Sequence, residues 1–392
     1  MARVVVLGGA GGIGTAAVRA LAAVDDFAEI VVADQRADAA AQVCAAIGDD
    51  RCIPAAFDAA DQQAVRALLD GTAVAVGCVG PFYRFGPPLL RAAIATGVDY
   101  VDVCDDLDPT ITMLALDADA RAAGVTAVVG LGNSPGLANV FVRMCAEGLL
   151  DEVHAVDILH VHGGEPDEGP AVVHHRIHAM RSEVPVFDGG EMHHVRMLEP
   201  SGDAYVVETD FRDVGRFPVF PYPHPETITL PRSFPHLRRV TNRGVVFPLS
   251  YFELTQRLVR EGFDADEVVR QVLAERPRLL ADAGVTGPAG CLKVVVEGVH
   301  AGEPHTYVLS LSATDRGAGE GTGIPAALGA VLVHRGLIEQ PGVHPPEAVV
   351  PVGELLSLAG QVIPAFGMTG GFPLHVEHLG PDGTIEELPL GL

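Results

Sequence analysis

A glycine-rich turn near the start of the chain constrains its fold more than any other feature. An apolar run at residues 4–7 leads into Gly9, Gly11 and Gly14, which are spaced as G-x-G-x-x-G. Residues 15–21 follow with helical character. A strand, a glycine turn and a helix in this order are typical of the first unit of a dinucleotide-binding Rossmann fold.

Each glycine of this turn has its own expected role. Gly9 is expected to take the tight turn out of the strand, and Gly11 to let the backbone approach a pyrophosphate. Gly14 is expected to let the helix pack closely on the sheet, while the helix N-terminus offers N–H groups to the phosphates. The residues predicted here to bind the cofactor are Gly9, Ala10, Gly11, Gly12, Ile13 and Gly14.

A carboxylate follows the second apolar strand, which we place at residues 30–33. Asp34 lies 20 residues after Gly14, where a ribose-binding carboxylate is expected. It would repel a 2′-phosphate, which favours NAD, but Arg36 could offset that repulsion and NADP stays possible. We include Gln35 with these two residues in the predicted cofactor site. The motif alone does not distinguish a nicotinamide cofactor from FAD or S-adenosylmethionine.

Composition narrows the class of protein. The chain has 392 residues, of which 48% are hydrophobic and 20% charged, as in globular proteins of two or three domains. Its formal charge of −25 argues against nucleic-acid or anionic-membrane partners. No apolar stretch is long enough to span a bilayer, and the first strand leaves no room for a targeting peptide. Six cysteines without C-x-x-C spacing indicate neither disulfides nor a zinc knuckle, so we expect a cytoplasmic protein.

Apolar strands alternate with helices up to about residue 132. We place further strands at residues 52–55, 73–78, 100–104 and 126–129, and helices at 37–47, 61–69, 89–96 and 111–123. This rhythm predicts an α/β fold in which a doubly wound parallel sheet of about six strands is covered on both faces. Residues 79–88 are predicted as a loop at the carboxyl end of the fourth strand, where ligands bind in such sheets.

The rest of the chain has a different pattern of apolar and polar residues. Strand-like alternation at residues 153–162, 206–211, 292–299 and 305–312 predicts a second, mixed α/β domain with a largely antiparallel sheet, and helices are expected at 252–261 and 265–281. Residues 217–235 hold six prolines and are predicted as an ordered loop or lid. Residues 317–323 are expected to form a glycine-rich turn before a helix at 324–335, and residues 380–383 the turn of a terminal hairpin.

Six motifs occur together and in one order. They are Gly9–Gly14, Pro81–Tyr83, Ala95–Asp102, Gly130–Gly136, His224–Phe234, and Arg335–Gly336 with Gly342–Glu347. As a set, spread over most of residues 3–355, they resemble the saccharopine dehydrogenase-like family, with the lysine 6-dehydrogenase type the most similar. The tail beyond about residue 360 has no counterpart that we can place.

The resemblance implies an architecture and a chemistry. The implied domains are a Rossmann domain (1–132), a substrate-binding and dimerisation domain (133–320), a helical return to the Rossmann domain (321–360) and a C-terminal extension (361–392), in a homodimer. The implied activity is that of an NAD(P)-dependent oxidoreductase acting on the C–N bond of an amino acid or derived imine, which sets flavin and methyltransferase chemistry aside. We expect lysine 6-dehydrogenase-like oxidative deamination. The alternatives are a saccharopine- or carboxynorspermidine-type dehydrogenase acting on a secondary amine, and a nucleotide-binding redox sensor without turnover.

The resemblance also implies site residues. Further cofactor contacts are predicted at Asp58, Val79, Gly80, Pro81, Phe82, Gly132 and Asn133. Substrate contacts are predicted at Ser134, Pro135, Gly136, Glu226 and Arg232. Catalytic roles, chiefly acid–base handling of the amine proton, are predicted for Tyr83, Asp102, Asp105, His175 and His224.

Simpler roles stay open for several of these residues. Tyr83 could be a buried structural tyrosine, the 132–136 segment a hinge, and Pro81 a rigid turn. Asp106 or Asp108 could cap the next helix, and Cys104 is expected to be a packing residue. His174 and His178 have i, i+4 spacing, but no H-E-x-x-H motif supports a metal, and none is expected. The family more often has serine where this chain has His178, which puts lysine itself in doubt as the substrate.

Overall fold

Two compact units make up the chain. The structure, a computed structural model, describes residues 2–165, 168–315, 317–368 and 372–389. One unit comprises Met1–Val140 and Ala318–Phe372, and the other comprises Phe141–Gly317 and Pro373–Gly391. The first unit is therefore built from two separate stretches of sequence.

Within the described residues, the first unit contains a seven-stranded parallel sheet. Its strands are β1 (Arg3–Leu7), β2 (Glu29–Asp34), β3 (Cys52–Ala56), β4 (Val74–Gly77), β5 (Asp99–Asp102), β6 (Thr126–Val128) and β15 (Gly342–His344). Its helices are α1 (Gly12–Ala22), α2 (Ala37–Ile47), α3 (Gln62–Leu69), α4 (Phe82–Thr96), α5 (Leu107–Leu114), α6 (Asp117–Ala123), α13 (Ala318–His334), α14 (Pro346–Val349) and α15 (Val352–Val362), followed by a 3-10 helix (Ile363–Phe366). The strand order is β15-β6-β5-β4-β1-β2-β3. This is the doubly wound sheet that the sequence predicts, with one strand more than expected, because β15 comes from the returning stretch and pairs with β6.

Close backbone packing explains the glycines of α13. A Cβ on Gly323 would lie 2.9 Å from the Ala17 nitrogen and still closer to the Ile13 oxygen, and a Cβ on Gly319 would lie 3.1 Å from the Gly12 oxygen. The glycine-rich turn predicted at residues 317–323 is therefore wrong. These residues begin the helix, and their glycines let it rest on the backbone of α1.

The loop predicted at residues 79–88 is also wrong, because α4 begins at Phe82. Pro87 and Pro88 lie inside this helix. The hydrogen bonds that they cannot donate would go to the carbonyls of Tyr83 and Arg84, which lie in its exposed first turn. The single helix predicted at 111–123 is instead two, α5 and α6, which are separated at residues 115–116.

The second unit, as far as it is described, has a ten-stranded, largely antiparallel sheet. Its strands are β7 (Glu152–Gly163), β8 (Val184–Asp188), β9 (Glu191–Val195), β10 (Val207–Phe211), β11 (Gly215–Pro221), β12 (Arg239–Phe247), β13 (Ala289–His300), β14 (Glu303–Ala313), β16 (Leu374–Leu379) and β17 (Ile385–Leu388). Its helices are α8 (Pro170–Arg181), α9 (Pro200–Asp203), α10 (Glu226–Ser233), α11 (Leu249–Arg260) and α12 (Ala265–Asp282), and α7 (Leu137–Gly148) runs into it from the first unit.

The central order of this sheet is β10-β11-β12-β7-β13-β14-β16-β17, and β12 with β7 is its parallel pair. Antiparallel pairing of β16 with β17 confirms the predicted terminal hairpin. Leu159 and Val161 of β7 pack in one core with Val173, Phe252 and Val272, which come from α8, α11 and α12.

The loop or lid predicted at residues 217–235 is wrong as well, because most of this segment is β11 and α10. Pro218 is opposite Glu208 on β10, and the pairing of β11 with β12 is limited to Phe220 with Gly244 and Pro221 with Arg243. Such a short ladder requires few N–H donors, which is why a proline-rich strand fits there.

Candidate functional site

The turn after β1 is built around Gly8. Gly8 has φ +81°, and the N–H groups of Gly8 and Gly9 donate to the Ala33 oxygen at 2.8 and 3.0 Å. The tight turn expected at Gly9 is therefore made one residue earlier. Gly9 serves close packing instead, because a Cβ there would lie 2.8 Å from Val32 Cγ1 on β2.

The later glycines differ in what surrounds them. A Cβ on Gly14 would approach the Gly8 oxygen well under 3.0 Å, which confirms that Gly14 allows the helix to pack closely. A Cβ on Gly11 would meet, among the described atoms within 4 Å, the Gly8 oxygen alone, at 3.4 Å, and one on Gly12 would meet none. In this part of the chain no side chain caps the start of α1. The open side of the turn therefore fits a pyrophosphate held by helix N–H groups.

Asp34 is fixed at the end of β2 beside this turn. Its Oδ2 accepts from the Ala10 N–H at 3.2 Å and its Oδ1 from the Arg36 N–H at 3.0 Å. The Arg36 guanidinium lies 3.8 Å from Oδ1, and its side chain is 67% exposed. Gln35 is exposed, as is Asp58, whose carboxylate accepts from the Ala60 N–H. A carboxylate and an exposed cation thus lie together where the ribose of the predicted cofactor would bind.

The end of β4 lies against the same turn. A Cβ on Gly8 would lie 2.7 Å from the Cys78 oxygen and 3.2 Å from Val79 Cγ2. From β1 the sheet continues on one side through β2 and β3 and on the other side through β4, β5 and β6. Open parallel sheets bind ligands at such a switch point, which here lies between β1 and β4. Gly80 is exposed and Pro81 half-buried there, while Phe82 is buried and Tyr83 is 55% exposed, so Tyr83 is not a buried structural residue.

Asp102 is fully buried at the end of β5. Its Oδ1 accepts from the N–H groups of Gly130 at 2.8 Å and Cys104 at 3.1 Å, and its backbone oxygen accepts from Leu131. Burial raises the pKa of this carboxyl to about 6, against the effect of the two backbone donors. The geometry is that of an anchor for the segment that begins at Gly130.

Asp105 and Asp106 follow, half-buried and buried respectively. Asp106 occupies the N-cap position of α5 without a side-chain capping bond, and its backbone oxygen accepts from Thr110 Oγ1 at 2.8 Å. Cys104 Sγ lies 3.5 Å from the same hydroxyl, and burial raises the pKa of this thiol well above its usual value. This is consistent with packing rather than reactivity at Cys104.

Backbone N–H groups in and just after residues 132–136 are paired with nearby acceptors. Gly132 donates to the Pro135 oxygen, Leu137 to the Gly132 oxygen and Ala138 to the Asn133 oxygen. The Gly136 N–H donates to Asn139 Oδ1, and Asn139 in turn donates to Glu347 of α14. The N–H groups of Gly136, Leu137 and Ala138 are therefore paired within this part of the chain, and the substrate contacts predicted at Ser134, Pro135 and Gly136 stay a prediction.

Five polar side chains of the second unit form a cluster that we call the histidine cluster. They are His160 on β7, Asn242 on β12, Tyr222 and His224 between β11 and α10, and Glu226 at the start of α10; all are buried except His160, which is half-buried. His160 Nε2 is 3.1 Å from Asn242 Oδ1, and Asn242 Nδ2 is 3.3 Å from His224 Nδ1 and 3.4 Å from Glu226 Oε1. The rings of His160 and His224 stack with centroids 5.2 Å apart, and Tyr222 is edge-on to both.

The histidine cluster favours neutral imidazoles. Burial is the largest cause that lowers the pKa of His160, to about 3, and it also lowers that of His224 well below the usual value. For His224, the neighbouring His160, His175 and His162 act in the same direction. Both rings are therefore uncharged near neutral pH and able to accept or donate hydrogen bonds without a charge of their own.

The predicted substrate residues differ in their place relative to this cluster. His224 and Glu226 belong to it, and the His175 ring on α8 lies 6.4 Å from Tyr222. Arg232 is exposed on α10, and His178 is exposed on α8. His174 Nε2 lies 3.3 Å from Asp266, so the two histidines considered for a metal have different surroundings.

Sequence analysis missed Asn242, Gly244 and a buried arginine pair. A Cβ on Gly244 would overlap the His160 ring, so this glycine makes room for it. Arg176 and Arg276 both pair with Glu168, which also accepts from the Tyr251 hydroxyl. Gly244, which lies inside β12 two residues after Asn242, was the available signal, since glycine inside a strand often marks a close approach.

Known proteins are similar to this chain in sequence. Residues 4–128 match the family model of the saccharopine dehydrogenase NADP binding domain. Over 407 aligned positions the chain is 25% identical to carboxyaminopropylagmatine dehydrogenase from Synechocystis sp., an alignment that covers 95% of this chain and 99% of that protein. Carboxynorspermidine synthase from Vibrio cholerae is 26% identical over 184 residues, which are 45% of this chain and 39% of that protein.

The fold comparison agrees. Apo saccharopine dehydrogenase (L-Glu forming) from Saccharomyces cerevisiae matches with a TM-score of 0.67 at 14% identity, covering 99% of this chain and 100% of that one. These findings support the resemblance: residues 4–128 are similar to an NADP-binding domain, and the chain as a whole is similar in sequence and fold to dehydrogenases of the saccharopine dehydrogenase type. No helix within the described ranges is both long and apolar enough to cross a membrane.

Proposed function

We propose that this protein interconverts an imine and a secondary amine, with a substrate that carries a carboxylate. The observation that carries the proposal is the histidine cluster, which holds neutral, proton-bearing groups in a unit separate from the dinucleotide turn. Support comes from the relative matched over almost its whole length, whose name is that of a dehydrogenase of a carboxylated agmatine derivative. A second relative is named for making carboxynorspermidine, another carboxylated amine.

The reaction balances as R–CH=N–R′ + NAD(P)H + H⁺ → R–CH₂–NH–R′ + NAD(P)⁺, in which the nicotinamide supplies the hydride to the imine carbon. In the opposite direction the imine takes up water and separates into an aldehyde and a primary amine. The lysine 6-dehydrogenase-like deamination expected from the motifs stays a prediction.

The residues of the first unit have a binding role in this proposal. The turn at Gly8–Gly14 would hold the pyrophosphate, Asp34 the ribose, and Val79–Phe82 the nicotinamide end. Asp102 would act indirectly, by fixing the Gly130 segment through its two backbone hydrogen bonds.

In the second unit we assign His224 to the reacting nitrogen. Negative charge develops on an imine nitrogen as hydride reaches the carbon, and an N–H donor placed there stabilises it. A neutral imidazole is suited to this role, because its N–H donates without the desolvation cost of a buried cation. Tyr222 and His160 hold the ring in place by their aromatic contacts.

The test uses matched carbonyl and amine pairs. Purified protein is mixed with NADPH or NADH, an amine (agmatine or a diamine), and either succinic semialdehyde or butanal, which lacks the carboxylate. We expect oxidation of the reduced nicotinamide with succinic semialdehyde and much less with butanal. Equal rates with both aldehydes would refute the carboxylate requirement.

Two other results would overturn the proposal. Reduction of NAD or NADP by free lysine alone, without activity on the pairs, would favour oxidative deamination. Binding of NADPH without turnover of any pair would favour a redox sensor.

The homodimer and the cytoplasmic location expected from the sequence remain proposals. Light scattering tests the homodimer by asking whether the particle has twice the mass of the chain.

A further inference from the structure

We infer that Asn242 is a positioning residue that fixes which ring nitrogen of His224 carries the proton. This rests on the proposed function only in assigning His224 to the substrate. The tautomer itself follows from four side chains of the histidine cluster: Glu226, Asn242, His160 and His224.

Glu226 sets the orientation of the amide. Asn242 Nδ2 donates to Glu226 Oε1 at 3.4 Å, and a carboxyl oxygen that carries no proton only accepts hydrogen bonds. The reversed amide would place two acceptor oxygens against each other inside the protein. Asn242 therefore directs Nδ2 towards Glu226 and Oδ1 towards His160.

The oriented amide then determines both rings. Asn242 Oδ1, at 3.1 Å from His160 Nε2, requires a proton on that nitrogen. The second Nδ2 proton is directed at His224 Nδ1, 3.3 Å away, which must then be the bare, accepting nitrogen. The proton of neutral His224 consequently lies on Nε2, the ring nitrogen that does not face Asn242.

A proton on His224 Nδ1 would be opposed by its surroundings. It would face the Asn242 NH₂ at 3.3 Å, two donors against each other, whereas Glu226 Oε2 is farther, at 3.8 Å. Other described groups near His224 include Tyr222, the stacked His160, and the neighbouring His162 and His175. Apart from Glu226, these groups do not favour a cation, and the lowered pKa of His224 is consistent with this arrangement.

Asparagine is the residue type that this position requires. Asparagine offers a donor and an acceptor on one short side chain. Here His224 accepts through Nδ1 and His160 donates through Nε2. Aspartate has nearly the same shape but offers acceptors alone. In Asn242→Asp, His224 would therefore gain a reason to protonate Nδ1, either as the other neutral tautomer or as a cation.

The experiment observes the tautomer directly. In protein labelled with ¹⁵N at histidine, long-range ¹H–¹⁵N correlation spectra distinguish the two neutral tautomers and the cation, and a His224→Gln variant assigns the signals. We expect His224 in the native protein to be neutral with the proton on Nε2, and in Asn242→Asp to be protonated at Nδ1. A native ring protonated at Nδ1, or unchanged His224 signals in Asn242→Asp, would overturn the inference.

A matched control separates this effect from that of a buried charge in general. Gln256 on α11 is a buried amide outside the histidine cluster, so Gln256→Glu introduces a carboxylate of the same kind. It should leave the His224 spectrum unchanged, and a shift equal to that of Asn242→Asp would count against a specific role of Asn242. If Asn242→Asp does not fold, Asn242→Ala serves instead. It should release both rings into mixed tautomers, and a single Nε2–H tautomer in that variant would refute the role of the amide.

Turnover gives the second measurement. In Asn242→Asp, kcat for the imine pair should fall about tenfold or more, with a smaller change in KM and a new pH dependence. If the spectra behave as expected while His224→Gln retains full activity, the proposed role of His224 fails and the positioning by Asn242 stands. The two ideas can therefore fail separately.

Discussion

Replacing Gly11 by alanine should weaken dinucleotide binding while leaving the fold intact. Gly11 has φ −76° and ψ 166°, which any residue can adopt, and a Cβ there would be in ordinary contact with the Gly8 oxygen at 3.4 Å. Stability should therefore change by less than about 1 kcal/mol. The new methyl group would point into the space that the pyrophosphate needs.

The expected loss of affinity can be estimated from the bond at risk. Pushing the phosphate off the helix start removes a hydrogen bond to a charged group, worth about 1.5–3 kcal/mol. At about 1.4 kcal/mol per factor of ten, Gly11→Ala should bind NAD(P)H about 10- to 150-fold more weakly. Titration by nicotinamide fluorescence gives Kd, and thermal unfolding without cofactor gives the stability.

Gly14→Ala is the matched control. Its Cβ would approach the Gly8 backbone well under 3.0 Å, so the turn itself must shift. The apo protein should lose about 1–3 kcal/mol of stability, unlike Gly11→Ala. If Gly11→Ala bound the cofactor within a factor of two of the native protein, the pyrophosphate would not lie against this turn and the reasoning would be refuted.

Three further predictions follow from other residues. Asp34→Ser should shift the Kd ratio towards NADP, because the exposed Arg36 is then left facing a 2′-phosphate, and an unchanged ratio would mean that Asp34 is not at the ribose. The raised pKa of Asp102 means that the folded state binds the carboxyl proton more tightly than the unfolded state does. The free energy of unfolding that Asp102 contributes is therefore full below pH 3.8 and is lost as the pH rises through about 6. Asp102→Asn retains an acceptor for both backbone donors and should remove that decline. The decline is worth about 3 kcal/mol and is measured by urea unfolding below pH 3.8 and above pH 6. An equal decline in the variant would exclude Asp102 as its source. Gly244→Ala should displace the His160 ring and cost about 1–3 kcal/mol, whereas Gly287→Ala, which meets no described atom within 4 Å, should be near neutral, and equal thermal stability of the two would contradict the packing argument.

Local sequence patterns predicted much of the fold. The helix at 37–47 has the predicted bounds, and the strands that were predicted lie within a few residues of their predicted positions, whereas β8, β9, β11, β12 and β15 were not predicted. Buried strands and amphipathic helices can be found in this way because hydrophobic periodicity records burial directly. The Rossmann unit was recognisable for a further reason: its glycines and Asp34 have the spacing that is typical of a dinucleotide-binding turn.

The errors arise where distant residues decide the local structure. Gly319 and Gly323 look like a turn until α1 is in place, because their partner is the backbone of residues 12–17. Pro218 and Pro221 suggest a loop, yet β11 is held mainly by β10. The histidine cluster was only partly predictable, since Asn242 is 82 positions from His160 and no local pattern joins them.

The late strand β15 and helix α13 have a consequence for how the protein is made. Residues 342–344 cover the edge of β6, and α13 covers α1, so the cofactor-binding half has an open sheet edge until all of Phe141–Gly317 has been synthesised. An uncovered strand edge is prone to pair with other chains. A nascent or truncated chain that stops before α13 should therefore require a chaperone, or else aggregate, however well its first strands are formed.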